Sequence, residues 1–177
     1  MKLHKVEIAL LLFPILLAMF CAMISDSTPQ RVAVPEFAEL IPDRLENYRS
    51  AQPTEAQLVE LCRSGRVERI IRMNGNGADS GGVSVQREKN LCREYGVQFH
   101  FINMHGNNQP EQKVHELLQL GRTYVHCRHG FDRTGAAVGY HLRQLGWEMP
   151  AIVEHNRWRN YIERKGAAYQ QYFDKIL

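Results

Sequence analysis

No two cysteines in this sequence stand at the spacing of a zinc-ligand pair. The four present are Cys21, Cys62, Cys92 and Cys127. His126, Cys127 and His129 crowd together, but no second ligand cluster follows, so neither a metal nor a cofactor is expected. The glycine-rich run Asn74 to Gly82 has neither a Gly-x-Gly-x-x-Gly order nor a Lys-Ser/Thr ending, which excludes a nucleotide loop and leaves an ordinary surface loop. There is no internal repeat, no low-complexity tract and no long charge run, which removes solenoids and charged tails. The net charge of +3 suits an anionic substrate but is too small to argue for nucleic acid as a partner.

What is present suits one compact α/β domain: 177 residues, 44% hydrophobic and 23% charged. The N-terminus is of another kind. Lys2 and Lys5 precede Ile8 to Ile24, a run without a single charge. A basic start followed by an apolar run resembles a secretory signal, and its length is at the lower limit of a membrane span. Ser25 and Ser27 offer poor cleavage points, and bulky Phe20 before Cys21 argues against a lipoprotein. The expectation is export to the periplasm or another extracytoplasmic side, with residues 1–27 a cleaved signal peptide or a membrane anchor. Residues 28–46 then read as a proline-containing linker and residues 47–177 as the domain. Membrane association would run through residues 8–24; nothing bears on oligomeric state.

Along the domain, strands alternate with helices. "NYRSAQP" (Asn47 to Pro53) reads as a strand, and "TEAQLVELCRSG" as a helix with Thr54 and Gln57 as its capping pair. "VERIIRM" is a strand, Val83 to Tyr95 a helix stopped by Gly96, and "VQFHFINM" a strand. "PEQKVHELLQLG" opens on Pro110 and closes on Gly121, as helices do. "TYVHC" is a strand, and the rest is helical. This alternation implies a mostly parallel central sheet flanked by helices. Cys62 and Cys92 fall on apolar helix sides, where burial is the default; spacing leaves open whether they form a disulfide. Trp147 and Trp158 read as packing residues.

Chemistry concentrates in "YVHCRHGFDRTG", Tyr124 to Gly135. Cys127 ends a strand and Thr134 begins a helix, so Arg128, His129, Gly130, Phe131, Asp132 and Arg133 must curl tightly between them, with Gly130 free to take a positive φ. A loop entering a helix N-terminus turns amide N–H groups inward and adds the positive end of the helix dipole, a cradle for a phosphate dianion. Arg133 supplies a planar fork for two phosphoryl oxygens. The same field favours a thiolate at Cys127, since a free thiol of pKa about 8.5 is lowered by helix N-termini and cations. Thr134 is placed to donate its hydroxyl to that sulfur.

This stretch resembles the His-Cys-x5-Arg-Thr-Gly signature of the cysteine-dependent protein tyrosine phosphatase superfamily. The late position of the motif after a strand and the small domain resemble the dual-specificity branch, and "NYRSAQP" resembles an early segment of its bacterial and fungal members. The resemblance implies Cys127 as nucleophile, a phosphocysteine intermediate, Arg128 to Arg133 as the phosphate-binding loop, no metal, and His126 in support, ordering the loop and tuning the thiol. It also implies an aspartate acid on the loop Ile102 to Pro110, which holds no carboxylate. Three substitutes remain open: Asp132 inside the cradle, His105 on that loop, and Asp79 on the glycine-rich loop. Arg49 is a candidate for substrate contact. The expected activity is a phosphomonoesterase acting on phosphotyrosine, and by extension phosphoserine or phosphothreonine, in proteins. Arg128 and His129 at the mouth keep open phosphoinositides or inositol polyphosphates. The missing conventional acid keeps open a phosphate-binding pseudophosphatase.

Overall fold

The computed structural model describes residues 33, 35–74, 82–104 and 109–156. The chain divides into two compact units, Met1–Arg31 and Val32–Leu177, and the second carries every described element. Residues 1–27, Asp79, His105 and Trp158 lie outside the described residues. No helix among the described residues is long and apolar enough to cross a membrane.

The elements run β1 (Glu39–Leu40), β2 (Tyr48–Ser50), α1 (Glu55–Arg63), β3 (Arg69–Arg72), α2 (Val85–Glu94), β4 (Gln98–Phe101), α3 (Pro110–Leu118), β5 (Thr123–His126), α4 (Asp132–Gln144) and α5 (Met149–His155). One five-stranded sheet has the order β1-β2-β5-β3-β4, parallel except for the antiparallel β1–β2 pair. The mostly parallel sheet expected from the alternation is therefore present. The stretch 28–46 contributes β1 and the buried Ile41 to the domain.

All four residues of β5 are buried, as a central strand covered on both faces requires. Its side chains alternate between two cores. Tyr124 packs with Leu58, Leu61 and Cys62 of α1 and Leu91 and Cys92 of α2. Val125 and Cys127 face the opposite core, with Val114 and Leu118 of α3, Ala136 and Leu142 of α4, and Ile152 of α5. Each fully buried leucine contributes roughly 2 kcal/mol of transfer free energy, and Trp147 adds a half-buried edge. Cys62 and Cys92 are free thiols placed side by side where α1 meets α2. The neighbouring Cys62 and burial push the Cys92 thiol up.

Two helices start on capping side chains, that of α1 as expected and that of α2 two residues after the expected Val83. Thr54 accepts from the amide of Gln57 at 3.3 Å, and the Gln57 side chain returns a bond to the Thr54 amide at 2.9 Å. Ser84 accepts from the Arg87 amide at 3.2 Å and opens α2.

A buried polar chain ties the segment before β2 to the far side of the sheet. Asn47 Nδ2 donates to Asp43 Oδ2 at 2.6 Å and to the carbonyl of Leu118 at 2.7 Å, and its Oδ1 accepts from the Thr123 amide at 2.9 Å. Asp43 also pairs with His141 at 3.1 Å, and His141 with His115 at 2.9 Å. Burial opposes ionisation of Asp43, but its bonds to His141, Asn47 and the Leu45 amide outweigh it and hold the carboxyl below the usual range. Burial and the neighbouring His141 likewise lower the His115 pKa. Both groups bind protons more readily when the chain is unfolded, so both lose stability on acidification. His115 acts as pH falls through about 6.5 and Asp43 below about 3.9. Urea-unfolding stability is expected to decline from pH 7 toward about pH 2.5, with slopes up to about 1.4 kcal/mol per pH unit for each group that titrates differently. Asp43→Asn should flatten the lower part of that curve. An unchanged slope there would remove Asp43 as its source.

Candidate active site

The C-terminal ends of β2, β5 and β3 lie level: His126 is opposite Ser50 on one side and Arg72 on the other. Ladder bonds continue past the strands, with the Met73 amide donating to His126 O at 3.0 Å and the Gln52 amide to Arg128 O at 3.3 Å. The loops after three adjacent strands therefore converge on the turn from Cys127 to Phe131, at the sheet edge where parallel α/β folds place their ligands.

The loop is held from outside by its carbonyls. Arg128 O accepts from the Gln52 amide, Gly130 O accepts from Arg49 Nη2 at 2.7 Å, and Phe131 O accepts from the Gly135 amide at 2.9 Å. In a planar trans peptide the N–H points opposite the C=O, so the amides of His129, Phe131 and Asp132 are turned away from these anchors. Gly130 makes the turn with φ +75°. A Cβ there would stand 2.7 Å from Ala51 N and 2.8 Å from Ser50 C.

Helix α4 begins directly behind this turn. Phe131 at its N-cap makes no side-chain cap bond, in contrast to Thr54 on α1 and Ser84 on α2. No capping side chain therefore competes with an anion for the positive end of its dipole. Cys127 is 2% exposed, at the base of the loop. Arg128 and His129 are exposed, Gly130 is buried, Phe131 is exposed, and Asp132 and Arg133 are half-buried on the first turn of α4. Thr134 is buried, and its hydroxyl has no hydrogen-bond partner, which leaves it available to a neighbouring sulfur. The expected nucleophile, phosphate loop and supporting threonine are all brought to one turn.

Among the three candidate acids, Asp132 alone is described. Its Oδ1 is buried with no hydrogen-bond partner, so this oxygen does not brace the loop. Arg49 corrects the sequence reading. Expected at the substrate, it is buried on β2, where its guanidinium binds Gly130 O and the Asn156 side chain beyond α5. It supports the loop from behind, because the register that pairs Arg49 with Val125 points it beneath the turn.

His126 projects to the face opposite Cys127. Its Nε2 lies 2.7 Å from Glu88 Oε1, and Glu88 Oε2 lies 2.8 Å from Arg72 Nη1. All three are buried. Burial opposes ionisation of Glu88, yet the His126 ring and the Arg72 guanidinium hold its carboxyl below the usual range. On the same face the Tyr124 ring stands 5.6 Å from that of His126, and burial pushes its phenol far up. Sequence reasoning missed Arg72 and Glu88. The available signal was a charged residue at each of two otherwise core-facing positions, "RIIR" and "REKNLC". Among the described residues no group of three or more His, Cys, Asp or Glu is placed to hold a metal ion.

The chain has the fold of the cysteine-dependent phosphatases, as the loop's resemblance implied. No protein-family model and no curated protein matches it. Among solved structures it is similar to the core catalytic domain of the PP-IP phosphatase Siw14 from S. cerevisiae, with 21% identity, TM-score 0.58, and coverage of 81% of this chain and 86% of that one. It is also similar to a candidate phosphatase from Shewanella putrefaciens, with 14% identity, TM-score 0.62 and coverage of 79% and 88%. A candidate phosphatase from Neisseria meningitidis matches with 16% identity, TM-score 0.56 and coverage of 82% and 99%. At these identities the likeness is one of fold.

Proposed function

We propose that the chain is a metal-independent phosphomonoesterase with Cys127 as nucleophile. The observation that carries this reading is a sealed cysteine at a strand end, followed by a loop with carbonyls tied outward and a helix left uncapped. In the first step Sγ attacks phosphorus in line, the P–O bond breaks, and the leaving oxygen takes a proton from Asp132. In the second, water attacks the phosphocysteine, gives its proton back to Asp132, and inorganic phosphate leaves with the thiolate restored. The loop amides and Arg133 hold the equatorial oxygens through both steps.

Phosphotyrosine in proteins is the substrate class that the loop's resemblance implies, and the one that depends least on an acid from Ile102 to Pro110, where no carboxylate stands. A phenol of pKa about 10 leaves with little help, whereas an alkyl alcohol needs a proton in the transition state. A second reading, polyphosphorylated inositols, is favoured by the exposed Arg128 and His129 at the mouth and by the likeness to a PP-IP phosphatase. A pseudophosphatase is disfavoured, since a phosphate binder has no use for the thiol.

Turnover of p-nitrophenyl phosphate in EDTA, blocked by vanadate, is the expected result; tight phosphate binding without turnover would overturn the enzyme reading. A panel of phosphopeptides and inositol phosphates then separates the two substrates. Asp132→Asn should cost about 10² to 10⁴ on alkyl phosphates and far less on aryl ones. If Asp132→Asn, His105→Ala and Asp79→Asn all keep wild-type rates, the acid is none of them. We further propose export, supported by the uncharged run Ile8 to Ile24. N-terminal sequencing of fractionated cells should find the chain outside the cytoplasm, cleaved or anchored, and an intact cytoplasmic chain would refute this.

A further inference from the structure

A buried ion pair seldom adds net stability, because desolvating both charges offsets their attraction. A pair kept for stability alone would maximise its own contact, as a two-bond arginine–carboxylate fork does. Arg72 and Glu88 do not. Arg72 Nη1 is shared between Glu88 Oε2 at 2.8 Å and the carbonyl of Val83 at 2.6 Å. Glu88 Oε1 is thereby left to His126 Nε2 at 2.7 Å. An ionised carboxylate only accepts, so the proton in that bond belongs to Nε2. His126 Nδ1 is buried with no hydrogen-bond partner, so no second bond fixes the ring. Among the described residues, Tyr124 two positions back on β5, and Arg72 and Ser50 across the two ladders, share the face of the ring.

We propose that Glu88, held in place by Arg72, is a positioning residue that sets the Nε2–H form and the plane of the His126 ring, and through it the backbone from which Cys127 projects. The proposal rests on Cys127 being the nucleophile. Its means are mechanical and local. His126 and Cys127 are adjacent, their side chains lie on opposite faces, and the Met73 amide holds the His126 carbonyl at 3.0 Å. A ring pinned to Glu88 at its far end restrains the Cα of His126, from which the peptide that carries the thiol runs. In Glu88→Gln the amide oxygen stays with the Arg72 cation, and the amide nitrogen is turned to Nε2 as a donor. That forces the ring proton to Nδ1. Glu88→Asp keeps an ionised acceptor.

Two-bond ¹H–¹⁵N correlation spectra of histidine-labelled full-length protein read the ring directly, with His126 assigned by its loss in His126→Asn. The wild type is expected to show Nε2 protonated. Glu88→Gln should show the proton on Nδ1, with kcat on p-nitrophenyl phosphate down about tenfold and KM within about twofold. Glu88→Asp should restore the wild-type ring pattern and most of kcat. An unprotonated Nε2 in the wild type overturns the proposal, and so does a Glu88→Gln protein that keeps wild-type kcat, whatever its ring pattern. Should Glu88→Gln not fold, the wild-type and Glu88→Asp spectra decide. A wild type with Nε2–H but no turnover would instead count against the phosphatase reading alone.

Discussion

Cys127→Ser is expected to abolish turnover of p-nitrophenyl phosphate, with a loss on the order of 10⁴ or more, while leaving phosphate binding intact. The exchange is nearly isosteric, so a side chain 2% exposed at the end of a fully buried strand keeps its packing. What changes is the chemistry. A serine hydroxyl ionises far less readily than a thiol, and no general base is expected beside it to compensate. The alkoxide would also be the poorer leaving group in the second step. The binding elements survive, because loop carbonyls, uncapped helix and Arg133 do not depend on sulfur. Kinetics and calorimetric titration with phosphate on the same samples separate the two. A variant that keeps a tenth of wild-type activity would remove Cys127 from the nucleophile's role.

Gly130→Ala should damage both the stability of the domain and its rate. Two effects add at this position. The backbone sits at φ +75°, which costs an L-residue about 1–2 kcal/mol. The new Cβ would also meet the backbone of Ala51 and Ser50 at 2.7–2.9 Å, and strand-end backbone cannot rotate aside as a side chain would. Overpacking of this kind costs typically 1–3 kcal/mol. Any relief moves the Gly130 carbonyl off Arg49, 2.7 Å away, and with it the amides proposed to hold the phosphate. A displacement of 1 Å in such a site costs about 10² in rate. Gly96 is the control: φ is +71°, but nothing lies within 4 Å of its Cβ position. Gly96→Ala should lower stability by about 1 kcal/mol and leave kcat alone. Gly130→Ala should lower Tm by about 5 °C or more and kcat by about a hundredfold. Equal Tm losses in the two variants would show that the close approach to β2 does not shape the loop.

The features legible in the amino-acid order are those whose causes are local. Thr54 and Gln57 are three residues apart and cap α1 reciprocally. Pro110 starts α3, and Gly96 and Gly121 take the positive φ that ends their helices. The turn from Cys127 to Arg133 could be read for the same reason, since strand end, glycine and helix start are consecutive. The misjudged or overlooked residues act across the sheet. Arg49 looked like a substrate contact because an arginine near a strand end is usually solvated. Only the pairing of β2 with β5 puts it beneath Gly130. Glu88 and Arg72 drew no functional reading from the sequence; only the packing of α2 on the sheet sets Glu88 between His126 and Arg72.

By itself the chain order determined the alternating architecture, the helix boundaries and the cluster of cysteine, glycine and arginine in one short turn, because each depends on neighbours within about one helical turn. Tertiary structure alone decided how that turn is held: which carbonyls are tied outward, which arginine is spent on support, and which carboxylate reaches the histidine beside the sulfur. Those partners are up to 107 positions apart in the chain. No local periodicity encodes a contact at that separation; it exists only once the strands are in register.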